Sequence, residues 1–273
     1  MSWQRIKPPQ VCICEHSDWC MVSNNGDAFL CMRVPSDRPV NMSDGSVGYI
    51  HQVGEPIHDY KKYKKELRPE INWEAILIGM HKATDQRLIE NLSVELGVSY
   101  SSLIDLETVW SVKHNAWAFP MRNGYGKVSG FRIRCIDGSK KSIYGSKNAL
   151  FIPHNIKDKD RLFLFEGPSD TAAAITIGLN AFGRPSCSAG LFDIVTLVER
   201  LHTRELVIVS DNDNPGMDGA ETLSHHLRVR HCIITVPNKD MREYLKRGGR
   251  SKGLNAIVRS TVWRQPALGL DRS

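Results

Sequence analysis

Two apolar runs, Leu162-Phe163-Leu164-Phe165 and Leu206-Val207-Ile208-Val209, stop at Glu166-Gly167-Pro168-Ser169-Asp170 and Ser210-Asp211-Asn212-Asp213. Runs this short, unbroken by polar positions and rich in β-branched or aromatic residues, predict strands buried on both faces of a parallel sheet. A further run, Cys232-Ile233-Ile234-Thr235-Val236, ends at Pro237-Asn238-Lys239-Asp240, and Ala181-Phe182-Gly183 is a shorter one. Between them the apolar period becomes helical. Leu191, Ile194, Val195, Val198 and Leu201 share one face, and Ala220, Leu223 and Leu227 another. Asp170 or Ser169 is placed to cap a helix through Thr171-Ala172-Ala173-Ala174. Strands alternating with helices predict a doubly wound α/β sheet.

Upstream the pattern changes. Trp73, Ile76 and Leu77, then Leu88, Leu92 and Leu96, recur at helical spacing, with Gly97 as a stop and Ser99 or Ser101 as the cap of a further short helix. From Trp117 the chain turns β-rich, with hairpin signals at Asn123-Gly124 and Asp137-Gly138. The glycines 124, 126 and 130 precede no helical stretch, so a hairpin is favoured there over a phosphate loop. Phe131-Arg132-Ile133-Arg134-Cys135 alternates, which puts Arg132 and Arg134 on one strand face, with Lys140, Lys141 and Lys147 nearby. A basic sheet face of this kind suits nucleic-acid phosphates. The run Tyr60-Lys61-Lys62-Tyr63-Lys64-Lys65 reads first as a solvated face. The stretch from Val34 to Pro56, rich in Pro, Gly, Ser and Asp, reads as irregular structure or a linker. Beyond Ser251 one helix is expected before the end frays.

Ligands of open parallel sheets sit at the carboxyl ends of the strands, so Glu166, Asp211 and Asp213 are expected in one crevice, with Asp240 and Lys239 beside them. Carboxylates crowded together repel, and a hard divalent cation such as Mg²⁺ or Mn²⁺ removes that penalty. The chemistry such a site supports is metal-assisted attack at phosphorus. At the other end of the chain, Cys12, Cys14, Cys20 and Cys31 could hold Zn²⁺ as thiolates, with His16 as a substitute ligand. Asn24-Asn25-Gly26-Asp27 reads as a hairpin turn between two of these cysteines, as in a zinc ribbon.

Composition adds little to this picture. The 273 residues are 41% hydrophobic and 24% charged, ordinary for a soluble protein, and the net charge of +6 mildly favours a polyanionic partner. No run is long enough to cross a membrane, the start Met1-Ser2-Trp3-Gln4-Arg5 lacks an apolar signal core, and seven cysteines in a reducing, cytoplasmic setting are expected to be unpaired. No G-x-x-x-x-G-K-[ST] occurs, so no motor ATPase is expected within the chain.

The acidic motifs, Glu166-Gly167-Pro168-Ser169-Asp170 and Asp211-Asn212-Asp213-Asn214-Pro215-Gly216 followed by Lys239-Asp240, resemble those of Toprim domains over about residues 162–245. The segment Cys14-Glu15-His16-Ser17-Asp18-Trp19-Cys20, with Leu30-Cys31-Met32-Arg33, is similar to the zinc element of phage-type and mobile-element primase-like proteins. In those the first cysteine stands three residues before the second; here Val11 holds that position and Cys12 is its neighbour. The resemblance implies the order 1–55 zinc-ribbon-like element and linker, 56–110 helical region, 111–157 β-rich primase-like segment, 158–250 Toprim domain and 251–273 tail. It implies a DNA primase, a DNA-directed RNA polymerase making primers by nucleotidyl transfer. Glu166 would act near the attacking hydroxyl as base or metal ligand, Asp211 and Asp213 would bind metal and nucleotide phosphates, Asp170 and Asp240 would support them, and Lys239 would neutralise phosphate charge. Single-stranded DNA and nucleoside triphosphates are the implied partners, with a replicative helicase as a further candidate and no membrane. A Toprim recombination mediator without catalysis, or a Toprim nuclease, are the alternatives. Retention of Glu166, Asp211 and Asp213 favours an enzyme.

Overall fold

The computed structural model describes residues 2–6, 10–15, 19–42, 47–53, 71–158 and 160–266. The chain divides into two compact units, residues 1–71 and 72–273. His16 and the run 60–65 lie outside the described residues.

In the first unit β1 (Trp3–Arg5), β2 (Met21–Ser23), β3 (Ala28–Cys31), β4 (Pro39–Asn41) and β5 (Val47–Gln52) form one antiparallel sheet, ordered β1-β2-β3-β5-β4. The expected hairpin is there. Gly26, at φ 76°, turns the chain, and its N–H donates to the Ser23 carbonyl at 2.9 Å. The linker expectation for the stretch from Val34 fails, because β4 and β5 lie within it. Its turn-forming residues serve the sheet instead. Pro39 opens an edge strand, where a missing N–H breaks no inner ladder. Gly48 lets two strands approach, since a Cβ there would stand 2.8 Å from Leu30 Cδ1 and 3.1 Å from Met32 Sδ.

The second unit starts with α1 (Trp73–Ala83), α2 (Gln86–Leu96) and α3 (Tyr100–Asp105). Asn72, Asp85 and Ser99 cap them through side-chain oxygens, and Gly97 ends α2 in the left-handed region. β6 (Val109–Ser111), β7 (Ala116–Arg122), β8 (Val128–Cys135) and β9 (Lys140–Ser142) form an antiparallel sheet in that order. The helix α1 covers it: Trp73 and Leu77 pack with Val109, Ala118, Phe131 and Ile133.

The parallel sheet comprises β10 (Arg161–Glu166), β11 (Ala181–Arg184), β12 (Glu205–Ser210) and β13 (Arg230–Thr235), ordered β11-β10-β12-β13. Alternate residues face opposite cores. Phe163, Phe165, Val207 and Val209 pack with residues of α4 (Gly167–Thr176), α7 (Met241–Lys246) and α8 (Ser251–Ser260). Leu162, Leu164, Leu206 and Ile208 pack with α5 (Leu191–Arg200) and α6 (Asn214–Ser224). The sheet is therefore doubly wound, as expected. α2 and α3 join the first of these cores through Ile89, Leu92 and Leu103. The residues Leu150 and Phe151 tie the two sheets together by bridging Arg122 of β7 and Gly183 of β11.

Neither Ser169 nor Asp170 caps α4. The helix begins directly off β10 at Gly167, which takes φ 74° and turns the chain without a side-chain cap. The sheet lets α4 approach closely at Gly183, where a Cβ would lie 2.2 Å from Thr171 Oγ1, itself donating to the Gly167 carbonyl at 2.8 Å. Gly183→Ala should destabilise the second unit by about 1–3 kcal/mol through overpacking, lowering the melting temperature by about 2–4 °C per kcal/mol. An unchanged melting curve would show that this contact relaxes freely.

Candidate active site and metal centres

Strand order fixes where the crevice forms. From β10 the chain crosses to β11 on one side, and β12 lies on the other. The two crossovers part between β10 and β12, at the carboxyl ends of the strands, where open α/β sheets take ligands. Glu166 is the last residue of β10 and Asp211 follows the last residue of β12. Asp213 caps α6, its Oδ1 accepting from Gly216 N at 2.8 Å, and Asp240 caps α7, accepting from Glu243 N at 2.8 Å. Asp170, in α4, accepts from Arg242 N at 3.1 Å. Asp211 has no hydrogen-bond or ion-pair partner for its carboxylate among the described residues. Gly216 permits the tight turn, since a Cβ there would be 2.9 Å from the Asp211 carbonyl.

These carboxylates sense one another. Burial, and then the charges of Asp170, Glu166, Asp213 and Asp240, push Asp211 up to about 7. Asp170 is raised to about 6 by burial and by Asp240, against the opposing pull of Arg242 and Lys140. Glu166 is raised by burial, opposed by Arg184 and reinforced by Asp213. An all-oxygen donor set with surplus negative charge fits a hard divalent cation better than any other guest. The set is open: among the described residues only the four cysteines bring three or more candidate ligand atoms within 4.8 Å of one another.

Two functional candidates escaped the sequence. Arg184 ends β11 beside Glu166 in register, and its Nη2 donates to Glu166 Oε1 at 3.3 Å. The apolar run that marks this strand ends at Gly183, one residue short of that cation. Arg242 lies two residues past Asp240, its side chain 3.8 Å from that carboxylate.

The basic face is set by strand register. Arg134 stands opposite Lys140, and Arg132 opposite Ser142, so those three cations share a face; Lys141 stands opposite the buried Ile133 and takes the other face. Arg132, Arg134 and Lys140 line a small cavity closed by Pro168 and Ser169 in the first turn of α4, where the buried Ser169 hydroxyl has no hydrogen-bond partner among the described residues. The Lys140 charge acts on Asp170 and on the Arg132, Arg134 and Arg242 guanidiniums, which places the basic face at the lip of the crevice. Lys239 is exposed, and its backbone N–H donates to Glu243 Oε2 at 3.2 Å. A cavity of ≈ 370 Å³ bounded by Val198, Thr203, Arg230 and Pro266 lies at the opposite ends of the strands, away from the carboxylates.

In the first unit Cys12, Cys14, Cys20 and Cys31 are buried, with all four sulfurs within 4.8 Å of one another. Cys14 and Cys20 Sγ are 3.7 Å apart. Four Zn–S bonds of about 2.3 Å in a tetrahedron put sulfurs about 3.8 Å apart, so the cluster fits that ion. Cys12, and not its neighbour Val11, brings the fourth sulfur to the cluster. The Arg33 and Val34 amides donate to Cys31 Sγ at 3.4 and 3.2 Å, support of the kind that orients metal thiolates. The Cys12 hydrogen bond draws Cys31 down to about 5, while that bond and burial push Cys12 up. The proton is thus held unequally between the Cys12 and Cys31 sulfurs, and a thiophilic dication displaces such a proton. All seven cysteines are free. Among the described residues no helix is long and apolar enough to cross a membrane.

No protein-family model matches the chain, and no curated relative matches it. Solved structures do. The Escherichia coli primase catalytic core matches with TM-score 0.56 at 14% identity, over 69% of this chain and 79% of that one. The Aquifex aeolicus primase, comprising zinc-binding and RNA polymerase domains, matches with TM-score 0.57 at 14% identity, over 97% of this chain and 81% of that one. Primase domains of bacteriophage T7, bound to an RNA/DNA hybrid and dTTP, match with TM-score 0.52 at 16% identity, over 64% of this chain and 91% of that one. At such identities the likeness is one of fold, and the chain has the fold of a DnaG-type primase catalytic core, preceded in sequence by a small β-sheet unit that carries four clustered cysteines.

Proposed function

We propose that this protein is a primase-type nucleotidyltransferase whose parallel-sheet part is a Toprim domain, making RNA primers on single-stranded DNA from nucleoside triphosphates. One observation carries the reading: a crevice of mutually repelling carboxylates round Asp211 opens beside the cationic face of Arg132, Arg134 and Lys140. That pairing gives a place for cations and a place for phosphates side by side. Asp211 and Asp213 would hold Mg²⁺ or Mn²⁺, with Asp170 and Asp240 in support. Bound there, the cation would supply Lewis-acid charge to a phosphoryl oxygen. Glu166 would serve at the attacking hydroxyl or as a metal ligand. Lys239, exposed at the rim, would meet phosphate charge. Zn²⁺ would hold the cysteine cluster, and a replicative helicase would be the natural partner of primer synthesis.

The test is product analysis with single-stranded DNA and all four ribonucleotides in Mg²⁺. Extended ribonucleotide products support the reading. Shortened strands that need no added nucleotide would make the protein a nuclease, and DNA binding with neither product would make it a mediator. Binding itself should rest on the basic face. Arg132→Gln with Arg134→Gln should weaken single-stranded DNA binding and flatten its salt dependence by roughly two contacts' worth of slope. Equal slopes for parent and double variant, in a titration over salt, would move the binding face elsewhere.

A further inference from the structure

Arg184 is an unusual cation to find in a crevice that needs a metal. Its side chain is 3% exposed. One guanidinium nitrogen donates to Glu166 Oε1 at 3.3 Å and another reaches the Gly219 carbonyl of α6 at 3.4 Å, while Nε is buried without a hydrogen-bond partner among the described residues. Gly219 also lets the loop that follows β11 close on α6, since a Cβ there would stand 2.5 Å from the Cys187 carbonyl. The guanidinium is thus fixed by three elements, β10, β11 and α6. Its charge extends to Asp211 as well as Glu166. A buried, fixed monocation on one carboxylate occupies the place and offsets the charge that a divalent ion at that carboxylate would need.

We propose that Arg184 is a positioning residue, an internal counter-cation that holds Glu166 in an ion pair and leaves the crevice with one divalent-cation position, at Asp211 and Asp213. The inference rests on the nucleotidyltransferase reading and narrows it: Glu166 serves as an oriented, charge-paired group at the reacting hydroxyl and not as a metal ligand. The carboxylate contacts agree with this division. Glu166 has a guanidinium on one oxygen, Asp213 and Asp240 each accept a backbone amide, and Asp211 has neither among the described residues.

Mn²⁺ binding to the full chain, followed by the electron paramagnetic resonance signal of the free ion, tests it without reference to activity. The parent should bind one Mn²⁺ that Asp211→Asn abolishes. Arg184→Gln should tighten Mn²⁺ binding by about tenfold or more, or admit a second ion, because a fixed positive charge has left the site. Arg184→Lys, which keeps the charge, should behave as the parent does. Arg184→Gln strands a buried carboxylate and risks unfolding, so the neutral pair Glu166→Gln with Arg184→Met is the decisive variant. It should keep one Mn²⁺ with affinity within about threefold of the parent, since net charge is unchanged. A loss of tenfold or more in that double variant makes Glu166 a ligand and overturns the inference, as does a parent that binds two ions. Mn²⁺ binding indifferent to Asp211→Asn would instead overturn the proposed active site, and this inference with it.

Discussion

Asp211→Asn should lower primer synthesis by two or more orders of magnitude, the scale of losing one preorganised electrostatic group, and should at the same time stabilise the metal-free protein above neutral pH. Both effects come from the same charge. Asp211 is the half-buried carboxylate pressed by four others, and its carboxylate has no hydrogen-bond or ion-pair partner among the described residues. The folded protein holds protons at Asp211 up to about 7 and at Asp170 up to about 6, whereas an unfolded chain releases them near roughly 3.9. Between those limits the folded state binds more protons, so stability falls as pH rises from about 4 to about 7, then levels off once both states are ionised. Asparagine carries no charge at any pH. The variant should therefore lose less stability over that window and exceed the parent at pH 8 by on the order of 1–3 kcal/mol, discounted for solvent at a partly exposed group. Mg²⁺ should raise the melting temperature of the parent at pH 8 and raise that of the variant far less. Melting curves at pH 5 and pH 8, with and without Mg²⁺, check the stability half. Synthesis at the parental rate, or a variant less stable than the parent at pH 8, would remove Asp211 from the centre of the site. Single-stranded DNA binding should survive the change, because it draws on Arg132, Arg134 and Lys140.

The carboxylates were legible in the sequence because each follows an apolar run, and a doubly buried strand has few ways to end. Period and turn chemistry also located α1, α2 and α3, the hairpins at Gly26 and Gly138, and the helices flanking the parallel sheet except the short α7. What escaped notice depends on distance across the chain. The Arg184 partners, Glu166 and Gly219, are 18 and 35 residues away in sequence, and only the parallel register of β10 on β11 brings the first of them alongside. Lys141 was grouped with Lys140 because the two are adjacent, but adjacent strand residues face opposite ways, and the β8–β9 register decides which one joins Arg134. The strands β4 and β5 were hidden by their own composition. A proline at an edge and a glycine under Leu30 look like breakers until the neighbouring strand is in view.

Removing one cysteine sulfur, or the metal, should unfold the first unit and leave the second intact. Among the described residues the buried cluster of the first unit has eight members, Ile6, Cys12, Cys14, Cys20, Val22, Phe29, Cys31 and Val34, and half of them are the clustered cysteines. A unit of 71 residues is in the size range, below about 70–80 residues, where an apolar core alone gives little margin and a staple is needed. Structural zinc supplies about 10–16 kcal/mol in small finger peptides, more than such a core can replace. Elemental analysis should find one zinc per chain. Cys20→Ser should lose it, and limited proteolysis should then digest residues 1–71 while a fragment starting near residue 72 persists. Cys12→Ser is the sharper test, since Cys12 stands one residue from the position expected of a ligand, yet its sulfur lies within 4.8 Å of the other three. It should lose zinc as fully as Cys20→Ser does. Cys135→Ser and Cys187→Ser, outside the cluster, should keep it. A protease-resistant first unit without zinc would refute the metal site. Full zinc retention in Cys12→Ser would pass the fourth position to another side chain, with His16 the first to replace.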